Sequence, residues 1–316
     1  MPDAVPVNRA AIEVRNLTKR YGAVTAVDDI SFAVRTGEFF GFLGPNGAGK
    51  TTTVRMLTGV IEADNGVALL KDYSAGSLKA KQITGVVPET ANAYVDLSAW
   101  DNLMLMAEIY GVASGKAKER SHALLGSVGL LERKDSLVKT YSKGMKQRLI
   151  LCMALVSDPN ILFLDEPTSG LDVQSTRLIK DVLRSLNTGG KTIFLTTHDM
   201  EEANQLCDRV AIINEGKMIA IDAPEKLRLA TSGRHSVEVS FTESVNPESL
   251  EQLAGVKEVE KVGDKYRLYT DNPSKLVVTL VNYSSAGGLK IVTLNTLAPS
   301  LEDAFVALTG REERHA

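Results

Sequence analysis

Few folds can hold the segment Gly44-Pro45-Asn46-Gly47-Ala48-Gly49-Lys50-Thr51. It fits G-x-x-x-x-G-K-[ST], a phosphate-binding loop, and it lies between an apolar run, Phe39 to Leu43, and a helical stretch, Thr51 to Leu57. The glycines let the backbone curl so that successive N–H groups point inward at phosphate oxygens. The helix that follows adds its positive end. The Lys50 ammonium can then bridge β- and γ-phosphates, and the Thr51 hydroxyl can ligate Mg²⁺.

The segments around the loop predict an α/β architecture. Residues 11 to 42 read as short strands with a turn at Arg35-Thr36-Gly37-Glu38. Ser98 can cap a helix running to Gly111, with Leu103, Met106 and Tyr110 on one face as a core stripe. Helices over Met145 to Val156, Gln174 to Leu186 and Met200 to Leu206 alternate with strands at Ile161 to Leu164, Thr192 to Thr196 and, finally, Arg209 to Ile213. Strands alternating with helices imply a parallel sheet covered on both faces. The character changes around Ala230-Thr231-Ser232-Gly233, so a first domain is expected over 10–230 and a second over 232–316. The second reads strand, helix, two strands across Gly263-Asp264, helix, strand and a last helix capped by Ser300 with Asp303, the order of a split βαβ sandwich.

Ile161-Leu162-Phe163-Leu164-Asp165-Glu166 is a buried strand ending in two acids. Beside a phosphate loop, Asp165 suits Mg²⁺, and Glu166, pointing the other way, can orient or deprotonate an attacking water. Strands often end in surface acids, so the pair gains meaning only from the loop upstream.

Two further motifs bring in a family. Tyr141-Ser142-Lys143-Gly144-Met145-Lys146-Gln147-Arg148 stands at a helix start before the Asp-Glu strand, and Ser169-Gly170-Leu171-Asp172 is followed by Thr196-Thr197-His198. With the phosphate loop, they resemble the nucleotide-binding subunits of ATP-binding-cassette (ABC) transporters over roughly residues 10 to 225. The resemblance implies a P-loop NTPase fold with an antiparallel β subdomain and a helical subdomain, followed by a small C-terminal α+β (ferredoxin-like) domain. It implies an ATPase using ATP and Mg²⁺ and pairing into a dimer, a homodimer being read from one loop and one signature per chain. Tyr21 would stack on adenine. Gly44, Pro45, Asn46, Gly47, Ala48, Gly49, Lys50, Thr51 and Thr52 would hold the phosphates. Thr51, Asp165 and Glu89 would serve the metal, and Glu166 and His198 the chemistry. Ser142 and Gly144 would face the nucleotide of the second subunit, and Asp172 would also bind nucleotide.

Each assignment has a plainer counterpart: a packed surface aromatic for Tyr21, a simple N-cap for Ser142, a satisfied structural histidine for His198. Two departures stand out. Glu89 occupies the position where the family usually has Gln. Lys143 and Met145 replace Gly and Gln in the signature, and Lys143 is read either as a cation near the partner's phosphates or as a solvated side chain. These variants, with Ala298-Pro299-Ser300-Leu301-Glu302-Asp303-Ala304-Phe305, resemble exporter ATPases of the antibiotic-resistance and nodulation-factor type, whose integral membrane permease is a separate chain.

A formal net charge of -3 gives no electrostatic reason to expect nucleic acid. Met1 to Pro6 shows neither a basic start nor an apolar stretch, and Leu149 to Val156 is too short to span a membrane. The expectation is a cytoplasmic chain, peripheral on the membrane through its permease. Cys152 and Cys207 read as buried free thiols, and His235 and His315 stand too far apart to suggest a metal site. Competing readings are a non-transport ABC protein of translation or DNA repair, which typically carries two cassettes or a coiled-coil insertion, and a phosphate-loop kinase or GTPase, which leaves Tyr141 to Met145 unexplained.

Overall fold

A computed structural model describes residues 10–90, 93–230, 235–297 and 299–310. Thr231, Ser232 and Gly233 at the expected domain boundary, and also Ala298 and His315, lie outside the described residues. The chain forms two compact units, one ending at Ala223 and one beginning at Pro224.

The first unit opens with β1 (Ala10–Tyr21) and β2 (Val24–Arg35), followed by β3 (Phe39–Leu43), α1 (Lys50–Leu57), β4 (Asn65–Leu70), β5 (Tyr73–Ser74), α2 (Leu78–Gln82) and β6 (Thr84–Val87). Three helices come next, α3 (Ala99–Ile109), α4 (Ser114–Ser127) and α5 (Lys143–Leu155). Then β7 (Ile161–Asp165), α6 (Val173–Thr188), β8 (Thr192–Thr197), α7 (Met200–Leu206), β9 (Arg209–Asn214) and β10 (Lys217–Asp222) complete it. An antiparallel sheet has the order β2-β1-β4-β5, and a six-stranded sheet the order β10-β9-β3-β8-β7-β6. In the latter, β9, β3, β8, β7 and β6 run parallel and β10 pairs antiparallel to β9. Arg209 to Ile213 is therefore not the last strand of this unit; Glu215 and Gly216, both with positive φ, turn the chain into a hairpin.

β3 and β7 are buried along their whole length, as expected for strands covered on both faces. Phe32 of the antiparallel sheet packs against Phe40, Phe42 and Phe194 of the parallel sheet, with centroids 5.6–6.0 Å apart, and Phe163 joins Phe194 at 5.5 Å. This aromatic cluster fastens the two sheets together, so the position of the phosphate loop at the end of β3 depends on it.

In α3, Ser98 caps through Asp101 N as expected, but the buried stripe differs. Ala99, Leu103 and Ala107 are buried at i, i+4 spacing, while Met106 and Tyr110 are only partly covered. Small residues dominate because α3 packs closely on α4 and α5. Helix α4 has a polar sequence with a weak apolar stripe, Ala117, Ser121 and Leu125, which the periodicity did not reveal.

The second unit contains α8 (Pro224–Ala230), β11 (His235–Phe241), α9 (Pro247–Glu251), β12 (Glu258–Val262), β13 (Lys265–Thr270), α10 (Pro273–Ala286), β14 (Ile291–Leu297) and α11 (Leu301–Thr309). Its antiparallel sheet has the order β12-β13-β11-β14, the ferredoxin-like arrangement for strand–helix–strand–strand–helix–strand connectivity. Val237, Val239 and Phe241 alternate into a core with Leu250, Leu276 and Leu280. Ser300 and Asp303 form a complete capping box on α11.

A candidate ATP site at the carboxyl edge of the parallel sheet

Parallel pairing aligns the carboxyl ends of neighbouring strands, so the segments leaving them emerge side by side. Leu43 pairs with Thr197, Asp165 with Thr196, and Val87 with Leu164. The phosphate loop, Glu166, His198 and Glu89 thus leave one edge of the sheet together. The Gly44 amide donates to Thr197 O at 3.4 Å, joining the loop to the strand that carries His198.

The phosphate loop wraps around its own lysine. Lys50 is buried, and its Nζ donates to Gly44 O at 2.6 Å and Pro45 O at 3.1 Å. Gly49 precedes α1 with φ 105°, and a Cβ there would lie 2.4 Å from Ala26 O. Only glycine meets both the dihedral and the contact. The resulting cavity, about 260 Å³, is lined by Pro45, Asn46, Gly47, Gly49, Lys50, Thr51, Thr52, Glu89, Glu166 and Ala26.

Glu166 reaches into this cavity between two bases. Its Oε1 lies 3.2 Å from Lys50 Nζ and its Oε2 2.7 Å from His198 Nδ1. The residue has φ 50°, a left-handed backbone that costs a non-glycine residue about 1 kcal/mol or more. The Glu166 amide donates to Thr196 O at 3.1 Å, which together with the two side-chain partners holds the strained turn. Asp165 points back toward the sheet, where its Oδ1 accepts from Thr196 Oγ1 at 2.5 Å. The adjacent acids of the strand thus separate, one into the cavity and one into the fold.

Ser142 caps α5 by accepting from Met145 N at 3.2 Å. Gly144 is required by a close approach: a Cβ would lie 2.3 Å from Ser175 Oγ at the start of α6. Asp172 caps α6, accepting from the amide and the hydroxyl of Ser175, each at 2.8 Å. The Ser175 hydrogen bonds hold the Asp172 carboxyl below its ordinary value. Lys143 is exposed, in keeping with a solvated side chain, and its ammonium also donates to Ser169 O at 3.0 Å, linking the signature to the loop after Glu166 within one chain. Tyr21 is half exposed at the end of β1 with Lys19 Nζ 5.7 Å over its ring, and it does not line the cavity.

Two contributors had no sequence signal strong enough to single them out. Asn102, inside α3 and fully buried, accepts from Tyr94 N at 2.9 Å and donates to Tyr94 O at 3.0 Å. It ties Tyr94 to the start of α3. A polar residue amid an apolar helix is the hint the sequence offered. The other is Glu202, described below.

The cavity suits a triphosphate on its own features. The Lys50 ammonium is set among loop carbonyls, and Gly47 would carry a Cβ into open space. Thr51 and Glu89 line the cavity and supply only oxygen donors, the chemistry Mg²⁺ prefers, while Asp165 lies outside the lining. No group of three or more His, Cys, Asp or Glu residues able to hold a metal occurs among the described residues.

A family description, "ABC transporter", matches residues 27–169. The linearmycin resistance ATP-binding protein LnrL of Bacillus subtilis (strain 168) is 38% identical over 310 residues, 96% of this chain and 99% of that protein. The chain belongs to the ABC transporter family, as an ATP-binding subunit. The Nod factor export ATP-binding protein I of Ralstonia nicotianae is 40% identical to this ABC subunit, over 96% of this chain and 95% of the relative. A solved ATP-binding subunit of an ABC transporter superposes with TM-score 0.65 at 29% identity, covering 70% of this chain and 92% of its own. A dimeric ATP-binding cassette in a post-hydrolysis state with ADP and Pi shares the fold, with TM-score 0.62 at 23% identity, covering 67% of this chain and 98% of its own. The ABC subunit binds and hydrolyses ATP with Mg²⁺. No helix among the described residues is long and apolar enough to cross a membrane.

Proposed function

We propose that this ABC subunit powers a separate export permease as one of two identical chains that close on ATP. The observation that carries the reading is the Glu166 carboxylate held between Lys50 and His198 over the phosphate-loop cavity. Lys50 and the loop amides bind the phosphates, and Thr52 and Asn46 line their cavity. Thr51 and Glu89, which line the cavity, would hold Mg²⁺, with Asp165 serving it through water, and the ion when bound would neutralise charge on the phosphate oxygens. Glu166 orients and deprotonates the attacking water, and His198 fixes its carboxylate while offering a donor for the transferred group. Tyr21 supplies an exposed ring for adenine. Ser142, Gly144 and Asp172 present a helix start to the nucleotide of the second copy. Export is favoured by relatives named for resistance and Nod factor export. The second unit, residues 232–316 in this reading, serves dimer contact or regulation.

Phosphate release by purified protein tests the chemistry. Glu166→Gln should lose about 100-fold or more in turnover while still retaining MgATP, and near-wild-type turnover removes the role given to Glu166. Co-purification from native membranes tests the partner. A polytopic chain supports the permease reading; ribosomes or DNA in its place oppose it.

A further inference from the structure

Glu202 is fully buried, yet none of the ATP chemistry above uses it. It stands in the first turn of α7, where Oε1 accepts from Thr168 Oγ1 at 2.7 Å and Lys180 Nζ of α6 lies 3.9 Å away. Oε2 has no hydrogen-bond partner within the described protein. A carboxylate in this position is costly, and an apolar residue of similar size would fill the space without that cost. Burial accordingly pushes the Glu202 carboxyl above its ordinary value, against the Thr168 and Thr197 hydroxyls and the Lys180 charge.

Its neighbours give the carboxylate a purpose. Thr168 is two residues beyond Glu166, in a short turn closed by the Ser169 amide donating to Glu166 O at 3.2 Å. That turn is tied at Thr168 by Glu202, at Ser169 by Lys143 and at Asp172 by the cap of α6. Glu202 itself follows His198 by four residues, and Asp199 fixes its backbone by accepting from Glu202 N at 2.9 Å. One hydrogen bond therefore joins the turn carrying Glu166 to the helix start carrying His198. It does so behind the 2.7 Å contact between the two side chains.

We infer that Glu202 is a positioning residue for ATP hydrolysis: by gripping Thr168 it fixes the turn that holds the Glu166 carboxylate against His198. The inference rests on the roles proposed above for Glu166 and His198. The Thr168→Val variant keeps shape and removes only the hydroxyl. With full-length protein and MgATP, Thr168→Val and Glu202→Ala should each lower kcat by roughly tenfold to 100-fold. KM should stay within about twofold, the pattern of an interaction that matters in the transition state and not in binding. The double variant should be no worse than Glu202→Ala alone, since Thr168→Val removes only a contact that Glu202→Ala has already broken. Glu202→Gln, which keeps an oxygen to accept from Thr168, should retain most of the rate.

Wild-type kcat in Thr168→Val, additive losses in the double variant, or Glu202→Gln as slow as Glu202→Ala would each overturn the inference. If Glu202→Ala does not fold, Thr168→Val and Glu202→Gln decide alone. Glu166→Gln separates the two levels of argument. Turnover surviving in that variant defeats the reading of the site, whereas a dead Glu166→Gln beside a fully active Thr168→Val defeats only the role of Glu202.

Discussion

Lys50 Nζ and Glu166 Oε1 lie 3.2 Å apart where both side chains are almost wholly withdrawn from water. The ammonium has two loop carbonyls as further acceptors, and the carboxylate has His198 as its second partner. Each charge is thus compensated by groups of the chain itself. Lys50→Ala should abolish nucleotide retention and also destabilise the fold by about 3 kcal/mol, the lower end for leaving a buried charge without its partner. Lys50→Ala/Glu166→Gln should recover most of that stability and none of the binding. Thermal unfolding alongside equilibrium nucleotide binding checks both arms.

Gly49→Ala should fail for a different reason. The added methyl meets Ala26 O at 2.4 Å on a backbone at φ 105°, so the loop must open or the β2 strand must move. A loss of roughly 2 kcal/mol or more is expected, with nucleotide retention falling in parallel, measured by denaturant unfolding and by binding.

Phe194 contacts four other rings, those of Phe32, Phe40, Phe42 and Phe163. Phe194→Ala should cost about 3–5 kcal/mol, through lost burial and the cavity left between two rigid sheets. Chemical denaturation of the purified protein measures it. A value under about 1 kcal/mol would contradict the claim that this cluster fastens the sheets.

Asp158 supplies a pH test away from the site. A hydrogen bond from Lys191 holds its carboxyl below the ordinary 3.8, against partial burial, with the Lys191 and Arg120 charges helping. A lowered folded-state value means a contribution present above pH 3.8 and lost as pH falls through the folded value. Asp158→Asn keeps a residue tolerant of its positive φ and should be less stable than wild type at pH 7, with the gap closing below pH 3.8. The effect should stay under about 1 kcal/mol and shrink with salt because the side chain is half exposed. Unfolding free energies of both proteins at the two pH values decide the matter.

Local pattern was enough to read most elements and the residues of the cavity other than Ala26. The run from Phe39 to Leu43 and the glycines after it are contiguous in the chain, so their strand, loop and helix follow from neighbours a few residues away. The same holds for Ile161 to Glu166 and for the Ser300–Asp303 box. Helix α4 and strand β10 were not legible, since one has a weak apolar stripe and the other is an edge strand whose side chains are only partly covered.

By itself, then, the sequence determined the phosphate loop, the two acids at the end of β7 and the caps of α3 and α11, because each depends on spacing along the chain. Only the tertiary structure decided that Glu166 bridges Lys50 and His198, that Lys143 bonds Ser169, and that Glu202 grips Thr168. Those contacts join segments up to 116 positions apart in numbering, as between Lys50 and Glu166. They exist because parallel strands deliver distant segments to one edge, and the register of that pairing is set by burial across the whole sheet.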